Sequence, residues 1–224
     1  MSNVLFVRHH LEDNPGLIGE AFAARGFACD VVMMDATSPT PSLEGYEILV
    51  ILGSKESVYD RDVEAAWFGR ELALMHDAKR RELPILGICF GAQALCRFHG
   101  GRVEPSDAPE IGWYEVEARE GAPISPGPWF EFHYDRCVLP SGAQLWASTR
   151  DAVQAFSVGH DIGVQFHPEV DDSQLRDWFD ADPDEHPREF ASREELLART
   201  ALETPAARIR ALDLVDVFLA HRSQ

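Results

Sequence analysis

One cysteine stands where a thiol could be made reactive. The apolar run Pro84-Ile85-Leu86-Gly87-Ile88 leads directly into Gly87-x-Cys89-x-Gly91, and a stretch with helical spacing follows from Ala92 to His99. A nucleophile on so sharp a strand-to-helix turn projects outward, and glycines two residues to either side let strand and helix close around it. The helix N-terminus beneath Cys89 would offer unpaired N–H groups and a partial positive charge, which favour thiolate over thiol. The backbone N–H of Phe90 could then face a developing oxyanion. Without such neighbours a cysteine is more simply a small buried hydrophobe.

Reactivity needs a base, and a candidate lies far along the chain in Gly163-Val164-Gln165-Phe166-His167-Pro168-Glu169. His167 is expected to end an apolar strand. Glu169, two residues on, shares its face in an extended chain. The carboxylate could then hold the far ring nitrogen, fix the tautomer and stabilise an imidazolium. A His-Pro-Glu tripeptide alone is equally a strand end with a proline turn. Beside the cysteine elbow it completes an acyl-transfer set of thiol, imidazole and carboxylate.

These two segments, in this order, resemble the signature motifs of the class I (triad-type) glutamine amidotransferases, over roughly Val4 to Val170. The resemblance implies a flavodoxin-like sheet and hydrolysis of a glutamine side-chain amide through a γ-glutamyl thioester, with release of ammonia. It makes Cys89 the nucleophile, His167 the acid–base, Glu169 its orienter and Gln93 a contact to the α-amino-acid end of the substrate. Gly53-Ser54-Lys55 stands where the family usually has Gly-Gly-Pro, in the loop that supplies the second oxyanion N–H, here from Ser54, with Gly53 against the substrate. Phe132-His133-Tyr134-Asp135 resembles the His-Gly-Asp-like stretch near the substrate's carboxylate and amine, which makes His133, Tyr134 and Asp135 substrate-binding candidates. Tyr134 replaces a small residue there.

The elements that must position these groups are legible in outline. Strands are expected at Val4–Val7, Cys29–Met33, 48–52 and Ile85–Ile88, with helices at Leu17–Arg25 and Asp62–Arg81 between them. Apolar strands alternating with helices predict a mostly parallel sheet covered on both faces. From Trp113 to Phe166 the texture becomes short alternating segments separated by Pro and Gly, which predicts an antiparallel extension whose last strand, 162–166, rejoins the main sheet. Loop is expected over 179–188 and helix from Arg193 to Arg222. The prediction is one α/β domain over 1–224, with a core at 1–170 and a C-terminal helical extension at 171–224.

Composition excludes other classes. The chain has 224 residues and a net charge of −18, with only Lys55 and Lys79 as lysines. Such a surface repels phosphate backbones, so nucleic acid is not an expected partner. No stretch approaches the ~18 apolar residues of a membrane span, and the N-terminus lacks the features of a signal peptide. Four irregularly spaced cysteines fit a reducing, cytoplasmic setting. No cofactor is expected. No glycine-rich phosphate loop is present, and residues 170–224 are too few for an ATP-using domain. Ammonia released for synthesis would therefore pass to an acceptor on a separate polypeptide. The alternative is a free-standing γ-glutamyl hydrolase or peptidase with the same triad; a non-enzymatic binding subunit is disfavoured by the intact Cys89, His167 and Glu169.

The remaining conspicuous residues have simpler readings. His9-His10 near Glu12 and Asp13 fits no familiar metal spacing and is expected to be solvated loop. Lys55 reads as a surface charge, and Cys96 as core. His133 and Cys137 would share a strand face with nothing else soft nearby. The five tryptophans read as packing, and Asp180 to Glu185 as hydrated loop.

Overall fold

A computed structural model describes residues 2–181 and 191–222. Its framework is a nine-stranded sheet in the order β2-β1-β3-β4-β9-β8-β7-β5-β6. The strands are β1 (Asn3–Arg8), β2 (Ala28–Met33), β3 (Ile48–Ile51), β4 (Ile85–Ile88), β5 (Arg102–Ala118), β6 (Gly127–Val138), β7 (Gln144–Ser148), β8 (Val153–Val158) and β9 (Asp161–Val164). The helices are α1 (Gly16–Ala24), α2 (Arg61–Val63), α3 (Gly69–Arg80), α4 (Phe90–Phe98), α5 (Asp172–Ala181) and α6 (Arg193–His221). The first five strands in sheet order run parallel, and β8, β7, β5 and β6 continue the sheet antiparallel.

Strand alternation divides the core between the two faces of the sheet. Val4, Phe6, Ile48, Val50, Leu86 and Ile88 point to the face covered by Leu17, Ile18 and Phe22 of α1 and by Leu214, Val215 and Phe218 of α6. Leu5, Val7, Leu49, Ile51 and Ile85 point to the other, against Leu74, Met75 and Ala78 of α3 and Leu95 and Cys96 of α4. The period of two along each strand puts successive residues on opposite layers, so apolar runs rather than alternations encode these central strands. A smaller cluster joins Leu175 and Phe179 of α5 to Phe130 of β6 and Leu196 of α6. The C-terminal helix α6 therefore packs into the core of the sheet, and Arg25 at the end of α1 donates to Asp216 on it at 2.7 Å.

Several expected elements differ in detail. The expected helix over Asp62–Arg81 starts at Arg61, capped by the Asp60 side chain, and is interrupted by a π-helical turn at Glu64–Phe68. The expected short segments at Trp129–His133 and Cys137–Leu139 are one strand, β6, whose partner β5 begins at Arg102 rather than near Trp113. A register shift between Pro105 and Glu110 breaks the alternation there and hides β5 from a periodicity reading. The last strand ends at Val164 instead of Phe166, so His167 lies in the segment beyond it. Residues 179–181 are helical, in α5, and the rest of the expected loop over 182–188 falls outside the described residues.

Candidate active site

The C-terminal edge of a parallel sheet is where strand ends and helix starts leave a crevice. Here three adjacent strands deliver one group each. Beyond β3 comes Gly53, directly beyond β4 comes Cys89, and three residues beyond β9 comes His167. All three line one open cleft, together with Gln93, Trp178 and the segment 132–135.

Cys89 occupies the turn at φ 51° and ψ −105°, a conformation that side-chain-bearing residues rarely adopt. The turn closes because its flanking residues have no Cβ. A methyl on Gly87 would lie 2.4 Å from the Gly91 carbonyl oxygen, and one on Gly91 would lie 2.2 Å from that of Ile51. The Cys89 N–H donates to Val164 of β9 at 2.8 Å, so strand pairing pins the strained residue from one side. Its carbonyl accepts from Gln93 as α4 begins, at 3.0 Å. Its thiol points to the Phe132 carbonyl 3.9 Å away.

His167 is nearly buried, and its Nδ1 lies 2.7 Å from Glu169 Oε1. An ionised carboxylate only accepts, so Nδ1 carries the proton, which leaves the opposite nitrogen for Cys89 in the same cleft. Burial alone would lower the basicity of this imidazole; the charges of Glu169 and of a Cys89 thiolate reverse that and raise its pKa well above the usual histidine value. The chain around the pair is fixed by backbone bonds. The His167 N–H donates to Phe130 at 2.7 Å, and the Glu169 carbonyl accepts from Leu17 at the start of α1 at 3.0 Å. A thiol and an imidazole thus share one cleft, with a carboxylate bound to the imidazole, the group types that acyl transfer requires.

The expected substrate-side residues divide into two groups. Tyr134 is half-exposed at the cleft, and Gly53 and Ser54 line it. Others are already engaged. Gln93 donates to Gln165 at 3.3 Å. The Asp135 carboxylate accepts from Ser57 at 2.6 Å and from Tyr59 at 2.7 Å. His133 donates from Nδ1 to the Asp135 carbonyl at 3.0 Å, and its Nε2 lies 3.1 Å from Glu110 and 3.2 Å from Glu131. Burial would depress His133, but the two carboxylates raise its pKa to about 10, while burial pushes Glu131 up to about 7. The contacts with Glu131 are ionic rather than well-angled hydrogen bonds, since neither of its oxygens has a conventional partner. Among the described residues, Glu110, Glu131 and His133 are the one group bringing three potential metal-ligand atoms within 4.8 Å of each other. The imidazolium already supplies the positive charge that two buried carboxylates require.

Some expectations need correction. His9 is not solvated loop: it is 5% exposed and held by Glu71 and Gly53, because the π-helical turn brings buried partners to it. His10 is half-buried against Glu56 at 3.0 Å. His133 and Cys137 are not alone, since Glu110 and Glu131 meet the former and the latter shares a core cluster with Cys96. Trp178 is more than packing: it lines the cleft with its ring 5.0 Å from that of His167 in an edge-on arrangement. Lys55 is exposed, yet it too lines the cleft. Sequence reasoning missed Glu71, Glu110, Glu131 and the role of Trp178, none of which belongs to a local motif. Buried acids facing histidines reveal themselves only once the strands are paired.

Comparison with known proteins gives a consistent answer. The family model described as glutamine amidotransferase class-I matches residues 14–178. A GMP synthase [glutamine-hydrolyzing] from Porphyromonas gingivalis is 35% identical over 138 residues, covering 57% of this chain and 26% of that protein. The corresponding protein of Thermosipho melanesiensis is 30% identical over 179 residues, covering 71% of this chain and 31% of its own length. The chain thus spans about a quarter to a third of these relatives. Among solved structures, a glutamine amidotransferase from Thermotoga maritima superposes with a TM-score of 0.86 at 25% identity, covering 97% of each chain. One from Methylobacillus flagellatus gives 0.86 at 24% identity over 99% of this chain and 95% of its own, a likeness of fold. Among the described residues no helix is long and apolar enough to cross a membrane.

Proposed function

Because this chain belongs to the class-I glutamine amidotransferase family, we propose that it hydrolyses the side-chain amide of glutamine by covalent catalysis at Cys89 and releases ammonia. The observation that carries the reading is the meeting of Cys89 and His167 in one open cleft at the strand ends, with Glu169 buried against the imidazole. The Cys89 thiolate attacks the amide carbon and forms a tetrahedral oxyanion, which the N–H groups of Phe90 and Ser54 receive. Protonated His167 then gives its proton to the departing nitrogen, and ammonia leaves from a γ-glutamyl thioester. His167, now neutral, takes a proton from water as that water attacks the thioester. Glutamate departs and the thiolate–imidazolium pair is restored.

The cleft suits a zwitterionic amino-acid end, with Glu12, Asp13 and Glu56 facing an ammonium and Lys55 facing a carboxylate. Burial raises the Asp13 pKa to about 6, so this side gains negative charge as pH passes through that value. The relatives named glutamine-hydrolysing GMP synthases support a further step, in which the ammonia passes to an acceptor reaction.

Ammonia release by the purified chain, measured with glutamine and with a panel of γ-glutamyl amides and peptides, tests the reading. Glutamine turnover that rises on adding cell extract supports the amidotransferase with a separate acceptor subunit. Fast turnover of γ-glutamyl peptides by the isolated chain would replace it with a free-standing hydrolase, and no turnover of any of these compounds would reject both.

A further inference from the structure

Behind the loop that leads from β3 into the cleft lies a buried imidazole–carboxylate pair that takes no part in the steps above. His9, at the end of β1, has its Nδ1 2.8 Å from the Gly53 carbonyl oxygen and its Nε2 2.7 Å from Glu71 Oε2. Glu71 is fully buried and His9 is 5% exposed, so neither serves the surface. The carbonyl can only accept, so Nδ1 carries a proton and donates to it. The His9 ring also packs against both Trp67 and Phe90, with centroids 4.6 and 5.0 Å away.

A single side chain therefore touches both arms of the oxyanion site. Phe90 supplies one N–H. The other, of Ser54, belongs to the same peptide unit as the carbonyl that His9 holds. Among the described residues no peptide bond is cis, so in that planar unit the Gly53 C=O and the Ser54 N–H point in opposite directions. Holding the oxygen from behind turns the N–H forward. A hydrogen bond to the carbonyl also polarises the peptide and strengthens its N–H as a donor. Residues between β3 and α2 form no regular element that could fix this orientation by itself. The π-helical turn at Glu64–Phe68 fits the same design. Trp67 and Glu71, four residues apart, both reach His9, and such turns recur at functional sites.

We propose that His9, held by Glu71 and Trp67, is a positioning residue that aims the Ser54 N–H at the oxyanion by gripping the Gly53 carbonyl. This rests on the reading that Cys89 attacks an amide carbonyl. The effect belongs to the transition state, so it acts on kcat and not on substrate affinity.

The test compares His9→Phe, which keeps the ring and removes the donor, with His9→Asn, whose amide nitrogen can replace Nδ1. Two readouts are taken, steady-state glutamine hydrolysis and the rate of Cys89 alkylation by iodoacetamide, a displacement that forms no oxyanion. His9→Phe is expected to lower kcat by about 10- to 100-fold, short of or equal to the loss of one oxyanion donor, with KM changed little. His9→Asn is expected to restore most of that loss, and alkylation is expected at the wild-type rate in both. If His9→Phe keeps the wild-type kcat, if both variants lose equal activity, or if alkylation falls along with turnover, the imidazole only packs and the proposal is wrong. A wild-type chain without turnover would instead sink the hydrolytic reading itself, and this inference with it.

Discussion

Glu169 holds the Nδ1 of His167 at 2.7 Å from a position two residues along the chain, and its own backbone carbonyl is tied to the N–H of Leu17 at 3.0 Å. Both ends of the orienting residue are fixed, so the imidazole it steers has a single available nitrogen. Glu169→Gln is expected to lower kcat for glutamine by about 10²- to 10⁴-fold, as when the orienting carboxylate of a triad is neutralised. The carboxylate raises the His167 pKa, so its removal makes the imidazolium lose its proton at lower pH. The alkaline limb of the kcat/KM profile should therefore move to lower pH in the variant, and an unmoved limb would refute this assignment.

The positive φ at Cys89 makes a second expectation. Elsewhere glycine is less stable than alanine by about 0.5–1 kcal/mol, but a strained backbone of this kind costs side-chain-bearing residues about 1–3 kcal/mol. Both Cys89→Ala and Cys89→Gly should abolish turnover. In urea titration the Gly variant should be the more stable by about 1 kcal/mol. The opposite ranking would mean that the elbow stores no strain.

Gly91 approaches β3 so closely that a Cβ would meet the Ile51 carbonyl oxygen at 2.2 Å. That neighbour is backbone in a central strand and cannot yield cheaply. Gly91→Ala is expected to destabilise the fold by about 2–4 kcal/mol in denaturant titration and to misplace Cys89 as α4 shifts.

How much of this was legible beforehand depended on whether a signal was local. The elbow around Cys89 and the pair His167–Glu169 are short motifs, and each stands on an element whose apolar run announces it. The strands β1, β3 and β4 were visible because burial on both faces demands uninterrupted apolar residues. β5 was only partly visible: its register shift and the Pro105 within it break the period of two. His9 was misread because nothing next to it in sequence suggests burial. Its partner Glu71 comes from the far side of a helix that a π-helical turn has rotated, and no helical periodicity anticipates that rotation.

The cluster around His133 sets the response of stability to alkali. Its folded pKa of about 10 lies above the ordinary value of 6.5, so the folded chain binds more protons than the unfolded one between those two values. That contribution is fully present below about pH 6.5 and is lost as pH rises through about 10. Urea midpoints should therefore decline from pH 7 to pH 10, and His133→Asn should flatten the decline whatever it does to stability at neutral pH. Equal slopes in the two proteins would remove His133 from the account.

The strand β9 fills the slot between β4 and β8, although it comes last in sequence among the described strands. Its neighbour across β4 was synthesised more than a hundred residues earlier, and its N-terminal partner to Glu169, Leu17, earlier still. A growing polypeptide on the ribosome therefore possesses the sulfur long before it possesses the imidazole. If sulfur and imidazole act together as proposed, turnover waits until β9 has filled the gap between β4 and β8.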